Sequence, residues 1–210
     1  MAKGILIAAM DYSACPQDEF DDWYDTEHIP ERLAIPGFIN AERWLGIEDP
    51  KVSLATYDLD EVGVLHSAPY QKVGGANSSP WTKRTGRFRK SLLRFEGEQL
   101  FPGDKTAPAG AAAVLLIAMN VAAEHEHEFN EWYNTEHAPQ LGSVPGVLCA
   151  RRYRGTGATQ RYAALYHFNS PDVVRSPAWR EAADTPWTQR MRPHFRDFLR
   201  LDCRRYTRAG

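Results

Sequence analysis

Residues 20–44 read FDDWYDTEHIPERLAIPGFINAERW, and residues 129–153 read FNEWYNTEHAPQLGSVPGVLCARRY. The two stretches align at a constant offset of 109, without a gap, and 11 of the 25 positions are identical. Similarity continues outward. Residues 4–10 match 113–119 in character, residues 54–57 answer 163–166, and Ser79-Pro80-Trp81-Thr82 answers Thr185-Pro186-Trp187-Thr188. A period this long is too great for a solenoid and suits a duplicated domain of about 100 residues.

The order of elements is the same in each copy. An apolar run short enough for a buried strand comes first (5–9; 114–118). A helical stretch (17–28; 124–137), a Pro-Gly pair and two strand-like runs follow (38–45 and 52–59; 147–154 and 161–168). Helical material around the Pro-Trp-Thr segment and a closing strand (91–95; 198–206) end the copy. That is the β-α-β-β-α-β order of a split ferredoxin-like unit. The fold class read from it is α+β, with two tandem ferredoxin-like units pairing inside one chain as a barrel-like pseudo-dimer. Each unit has helices on one sheet face, so its other face needs cover, and the second copy supplies it. Expected boundaries are 1–98 for the first half, 99–111 for a Pro-, Gly- and Ala-rich linker and 112–210 for the second half.

Within the repeat, Phe20, Trp23, Tyr24, Glu27 and His28 fall at the spacing of one amphipathic helix face, as do Phe129, Trp132, Tyr133, Glu136 and His137. Asp21, Asp22 and Asp25, and Asn130, Glu131 and Asn134, take the opposite, wet face. Pro30 and Pro139 are expected to stop the helices. A glutamate in the last turn opposes the macrodipole, so stability of its own helix does not explain Glu27 or Glu136. Burial favours a neutral imidazole at His28 and His137 while the helix end favours a cation, and such opposed pushes suit acid-base chemistry. Tyr24 and Tyr133 lie one turn before and can offer a hydroxyl to the same space. A structural reading stands beside this one: the histidines satisfy helix-end carbonyls, Glu27 and Glu136 pair with Arg43 and Arg152, and Trp23, Trp132, Trp81 and Trp187 are core.

Trp-Tyr-x-x-Glu-His-x-Pro after a first strand, inside a split ferredoxin-like unit, resembles the EthD-like branch of the dimeric α/β-barrel superfamily. The resemblance covers both halves, with a motif of about ten residues in each. Members usually carry one unit and dimerise, so this chain resembles a fused version. The resemblance implies a pocket within each barrel half and a motif histidine at that pocket, here His28 and His137, with Tyr24 and Tyr133 near it. Chemistries hosted across the superfamily include ring closure, lactone isomerisation, dehydration, decarboxylation and cofactor-free oxygenation. The candidate catalytic residues are therefore His28, His137, Tyr24, Tyr133, Glu27 and Glu136. Trp23, Trp132, Arg43, Arg152 and His167 are the candidate substrate contacts. The halves differ at positions expected to line a pocket: Ile29, Arg32 and Phe38 answer Ala138, Leu141 and Val147, and His167 stands where the first copy has Asp58. Distinct roles for the two halves are expected.

Composition narrows the partners. A net charge of −2 gives no electrostatic footprint for nucleic acid or an anionic membrane. The late arginines (Arg190, Arg192, Arg196, Arg200, Arg204, Arg205) are interrupted by Asp197 and Asp202 and read as a solvated face. Cys15, Cys149 and Cys203 are scattered, so neither a disulfide framework nor a thiolate zinc site is expected. In Glu124-His125-Glu126-His127-Glu128 the histidines alternate, and alternate residues on a helix do not face one another, so no metal site is expected there. Gly74-Gly75 lacks nucleotide-loop spacing, and no GxSxG occurs. The short apolar N-terminal run meets Asp11 and reads as neither a span nor a signal, which makes the cytoplasm the expected location.

The expectation is an enzyme without metal or organic cofactor, of lyase, dehydratase, isomerase or cyclase type. Its substrate would be a small apolar, oxygenated aromatic or polyketide-like compound, with a motif histidine moving the proton. The alternatives are a cofactor-free oxygenase of aromatic substrates and a non-catalytic small-molecule-binding protein. Either a monomer or a homodimer is compatible with the duplication.

Overall fold

The computed structural model describes residues 2–157 and 159–208. Its first half runs β1 (Gly4–Asp11), α1 (Gln17–Asp22), a π-helical turn (Trp23–His28), α2 (Ile29–Leu33), β2 (Phe38–Gly46) and β3 (Val52–Leu59). Then come α3 (Ala68–Gln71), α4 (Pro80–Gly86) and β4 (Lys90–Phe101). The second half repeats the order with β5 (Ala113–Val121), α5 (Glu126–Trp132), a π-helical turn (Tyr133–His137), α6 (Ala138–Gly142), β6 (Val147–Gly155) and β7 (Tyr162–Phe168). It closes with α7 (Pro177–Ala183), α8 (Pro186–Met191) and β8 (Phe195–Arg205).

The strands close into one eight-stranded barrel in the order β1-β3-β2-β8-β5-β7-β6-β4, every neighbour antiparallel. Each half contributes four consecutive staves in the same internal order. Two seams join them: β2 to β8 (Trp44↔Arg205 to Gly46↔Cys203) and β4 to β6 (Gly97↔Gly155 to Phe101↔Arg152). The eight-stranded antiparallel barrel wrapped by helices is the dimeric α/β-barrel architecture, built here from one chain.

Strand alternation divides the core into three. Ile5, Ile7 and Ala9 point into the lumen with Trp44, Leu54, Phe95, Leu116 and Leu165. Leu6 and Met10 point outward against Phe20, Trp23 and Tyr24, and Leu115 and Ile117 do the same against Phe129, Trp132 and Tyr133. The helices thus lie on the outer face of each four-stranded sheet, and the space between sheet and helices is where each half can hold a ligand.

The Pro-Gly pairs have a shared geometric reason. Gly37 and Gly146 adopt φ of +94° and +92°, a region open mainly to glycine. A Cβ on Gly37 would meet Val64 Cγ2 at 2.4 Å, and one on Gly146 would meet Val173 Cγ2 at 2.6 Å.

Three sequence expectations are corrected. Pro30 and Pro139 do not stop the helices, which continue through α2 and α6. The π turns just before them explain why: the Ile29 amide bonds back to the Tyr24 carbonyl and the Ala138 amide to the Tyr133 carbonyl, five residues away. The widened ladder moves the carbonyls that a proline ring would strike in an α-helix. Gln99–Phe101, read as linker, continues β4, and the Gln99 side chain ties down the following turn through Gly103 N, Lys105 N and Lys105 O. Finally, β8 begins at Phe195 rather than Phe198.

Candidate functional site

The π turn decides what surrounds His28. Residues five apart on a regular α-helix point about 140° away from each other. Here the Trp23 and His28 rings, five apart, lie 4.4 Å centroid to centroid, and Tyr24 meets His28 edge-on at 5.4 Å. The second copy repeats this arrangement, with Trp132–His137 at 4.4 Å and Tyr133–His137 at 5.0 Å.

Both histidines line cavities between sheet and helices. The first-half cavity has a volume of about 630 Å³, with Tyr24, His28, Arg32, Tyr70, Arg89 and Arg94 among its walls. That is within the range of ligand sites, about 300–1,000 Å³. The second-half cavity, about 230 Å³, is lined by Trp132, Tyr133, His137, Leu141, Trp179 and Phe195 among others. It is below that range, and more apolar.

Burial, with Arg32, Arg89 and Arg94 nearby, pushes the His28 imidazole well below its ordinary value. Its Nδ1 is buried and has no hydrogen-bond partner among the described residues. His137 is pushed down to about 3 by burial and by Arg152 and Arg192, and its Nδ1 lies 3.5 Å from Thr188 Oγ1. Both rings are neutral at neutral pH. Burial also raises Tyr24 and Tyr133, which stay protonated as donors. Tyr166 donates to Tyr133 Oη at 3.0 Å.

Glu27 and Glu136 each accept hydrogen bonds from hydroxyls at the start of a neighbouring helix. Ser79 Oγ and Thr82 Oγ1 donate to Glu27 Oε1 at 2.5 and 3.2 Å, and Thr185 Oγ1 donates to Glu136 Oε1 at 2.6 Å. Ser79 and Thr185 are the N-caps of α4 and α8. Each glutamate therefore ends its own helix but faces the positive end of another, where a carboxylate is favourable. Among the described residues, neither is within ion-pair distance of an arginine. Trp23 Nε1 joins the same network by donating to Thr82 Oγ1 at 2.9 Å.

Arg43 and Arg152, expected as substrate contacts, line neither of these cavities. The Arg43 guanidinium packs over Phe20, Tyr24 and Tyr206 (5.0, 4.6 and 3.9 Å) and pairs with Asp21 at 2.5 Å. Arg152 sits over Phe129, Tyr133 and Tyr162 and bonds Asn134 Oδ1 and Asn130 Oδ1 at 2.8 and 2.7 Å. Asp21, Asn130 and Asn134, expected on a wet face, thus hold buried arginines behind the motif tyrosines. Arg205, placed on a solvated face by its charge pattern, is half-buried and bonds Glu42 at 2.8 Å.

His167 is also away from the cavities. It points into the lumen, fully buried, 3.4 Å from Glu42 of the other half. The residues that answer His167 and Glu42 in the repeat are Asp58 and Arg151, and these form their own buried pair at 2.6 Å. The two pairs bridge the halves at symmetry-related places with different chemistry.

Sequence reasoning missed Arg89, Arg94 and Tyr70 as cavity residues. In the second copy Phe195, Arg200 and Trp179 take their positions, so the signal lay in comparing the copies beyond the motif. Arg192 replaces Gly86 and pairs with Asp184 at 2.7 Å. Arg192 borders both the inner 230 Å³ cavity and an open groove outside it.

Among the described residues no group of three or more His, Cys, Asp or Glu side chains is disposed to hold a metal ion. Among them, too, no helix is long and apolar enough to cross a membrane.

No family model matches the sequence, and no curated protein sequence matches it. Solved structures do. An anthrone oxidase-like protein is 12% identical, with a TM-score of 0.69 over 97% of this chain and 92% of that one. A candidate monooxygenase from Fusobacterium nucleatum subsp. nucleatum is 10% identical, with a TM-score of 0.64 over 98% and 94%. A candidate chlorite dismutase is 12% identical, with a TM-score of 0.68 over 99% and 96%. At these identities the likeness is one of fold, and it covers both halves: the chain has the fold of the dimeric α/β-barrel proteins.

Proposed function

We propose that the chain is an enzyme that moves a proton on a small, oxygenated aromatic or polyketide-like compound held in the first-half cavity. The step is of lyase, dehydratase, isomerase or cyclase type and needs no metal or organic cofactor, because proton transfer and positioning suffice for it. The observation that carries this reading is His28: a neutral imidazole on the wall of a cavity of ligand size, next to a protonated Tyr24. His28 accepts the proton, Tyr24 donates to a substrate oxygen, and the arginines stabilise the charge that develops. An anion bound near those arginines offsets their push on His28 and raises its proton affinity when substrate is present. Glu27 holds the framework and does not take part in the proton transfer.

A second reading has one specific support. Two structural neighbours are described as an anthrone oxidase-like protein and a candidate monooxygenase. Removing a proton from an electron-rich ring gives the species with which dioxygen would react, so a cofactor-free oxygenase would use the same residues. Dependence on dioxygen separates the two.

The same proposal places the chain in the EthD-like branch, as two tandem ferredoxin-like units, the first running to the end of β4 and the second starting near residue 112. The support is the twice-repeated Trp-Tyr-x-Thr-Glu-His-x-Pro motif. The direct test is to incubate chelator-treated protein with a panel of aromatic and polyketide-like compounds and to follow product masses. We expect a product without added cofactor, lost in His28→Ala and retained in His137→Ala. Unchanged turnover in His28→Ala, and in the double variant, would overturn the reading.

A further inference from the structure

Three arginines border the first-half cavity, and they are not alike. Arg32 pairs with Glu31 at 2.9 Å and donates to the Val73 carbonyl at 3.3 Å. Arg94 pairs with Glu96 at 2.5 Å and donates to Tyr70 Oη at 3.0 Å. Arg89 has no carboxylate within ion-pair distance among the described residues. Its contacts are the Trp23 ring, 4.4 Å from the guanidinium carbon, and Met10 Sδ at 3.9 Å from Nη1. Glu96 is the one acidic residue among the cavity walls, and Arg94 already occupies it. The cavity thus carries an excess of one positive charge, on a half-buried guanidinium held against the tryptophan that also stacks on His28.

A half-buried guanidinium without a counter-ion is costly, and burial lowers the Arg89 proton affinity from its ordinary value. The second copy has no such charge at the corresponding place, because Phe195 stands there and packs on Trp132 at 5.9 Å. Leu141 likewise replaces Arg32. A phenylalanine fills the site in one half, so neither the fold nor the Trp stack requires an arginine in the other.

Building on the proposed proton-transfer site, we infer that the substrate of the first-half cavity is a monoanionic aromatic or polyketide-like carboxylic acid whose carboxylate is held by Arg89. Arginine presents a planar fork of donors that matches a carboxylate, and Trp23 keeps that fork from folding away. The acid group lies beside Arg89, and the reacting carbon or hydroxyl faces His28 across the same tryptophan.

The test compares benzoate, salicylate and 1-naphthoate with their uncharged primary amides by isothermal titration against the full chain. We expect at least one acid to bind one per chain, at least tenfold more tightly than its amide, and more weakly as salt is raised. Arg89→Phe, which installs the second-half residue, should remove that preference while leaving amide binding within about twofold. Arg89→Lys should restore part of it. The corresponding change at Phe195 is not expected to alter acid binding. If no acid is preferred over its amide, or if Arg89→Phe keeps the preference, the inference is overturned. His28→Ala separates this from the proton-transfer reading: it should leave acid binding intact while abolishing turnover. A neutral compound turned over in a His28-dependent way, together with no acid preference, would sink the carboxylate inference alone. Arg89-dependent acid binding with turnover indifferent to His28 would sink the proton-transfer reading alone.

Discussion

Trp23 and His28 are five residues apart in the chain and 4.4 Å apart in space, a contact that only the π turn between them permits. The indole is fully buried and covers one side of the imidazole environment. Trp23→Leu should therefore re-admit water around His28, so its pKa rises toward the ordinary value of about 6.5. The loss of packing should cost about 3 kcal/mol. An NMR titration of the His28 ring protons with a denaturant melt checks both; an unmoved His28 pKa would show that the indole does not set it.

The glutamate clamp predicts a stability effect without a direct chemical one. Glu27→Ala leaves Ser79 Oγ and Thr82 Oγ1 without their acceptor and should cost about 1.5–3 kcal/mol. Glu136→Ala should cost a similar amount in the second half, where Thr185 is the donor. Glu27→Gln should recover most of it, since an amide oxygen still accepts. Urea melts decide the point, and turnover of the folded Glu27→Gln variant should stay within about tenfold of the parent.

Acid should weaken the protein from an unusually high pH downward. His28, His137 and His167 are all held below their ordinary value by burial. Above pH of about 6.5 these rings are neutral in both folded and unfolded chains, and they contribute no pH dependence. Below it the unfolded chain binds protons that the folded chain refuses, so stability falls as pH drops. For His137 the fall continues to about 3. Each site contributes a slope of about 1.4 kcal/mol per pH unit. Unfolding free energies at pH 6.5 and 5 should show the slope, and His137→Leu should reduce it by about one site's share.

Asp58 and Arg151 are buried against each other across the two halves. Asp58→Asn strands the guanidinium in the lumen and should cost about 3–5 kcal/mol. The repeat offers a sharper variant: Asp58→His with Arg151→Glu copies the Glu42–His167 pair into its symmetry-related place. That double change should be less destabilising than either single change, and a thermodynamic cycle measures the coupling.

Arg192 and its bond to Asp184 border the second cavity where the first copy has a glycine. Arg192→Gly should join the inner space to the outer groove and let the second half admit a neutral aromatic probe. Titration with 1-naphthamide, rising by about one site per chain relative to the parent, would show it; an unchanged stoichiometry would count against the role given to Arg192.

Much of the scaffold was legible because the repeat and the strand and helix periods are properties of local sequence. The burial of His28 and His137 followed from the same stripe, and their place at a pocket from the family resemblance alone. What local sequence hid was anything depending on a partner element. Glu27 looked misplaced until α4 brought Ser79 and Thr82 to it. Asp21 and Asn130 looked wet because α-helical spacing puts them opposite Phe20 and Phe129, yet Arg43 and Arg152 reach them from β2 and β6. The π turns were invisible to a 3.6-residue template, and with them the reason that a proline follows each histidine. His167 was misjudged because strand parity aims it into the lumen, a direction that depends on register rather than residue type.

The way the barrel closes has a consequence for synthesis. β8 follows every other stave in the chain, yet it is the one that sits between β2 and β5. During translation the first half is therefore made with Ile5, Ile7, Trp44 and Leu54 on a sheet face that nothing yet covers. The barrel over that face closes only with β8, which ends some 150 residues after β3. A nascent chain paused before β8 is an open apolar trough with an unpaired β2 edge, the kind of surface that chaperones engage and that promotes aggregation.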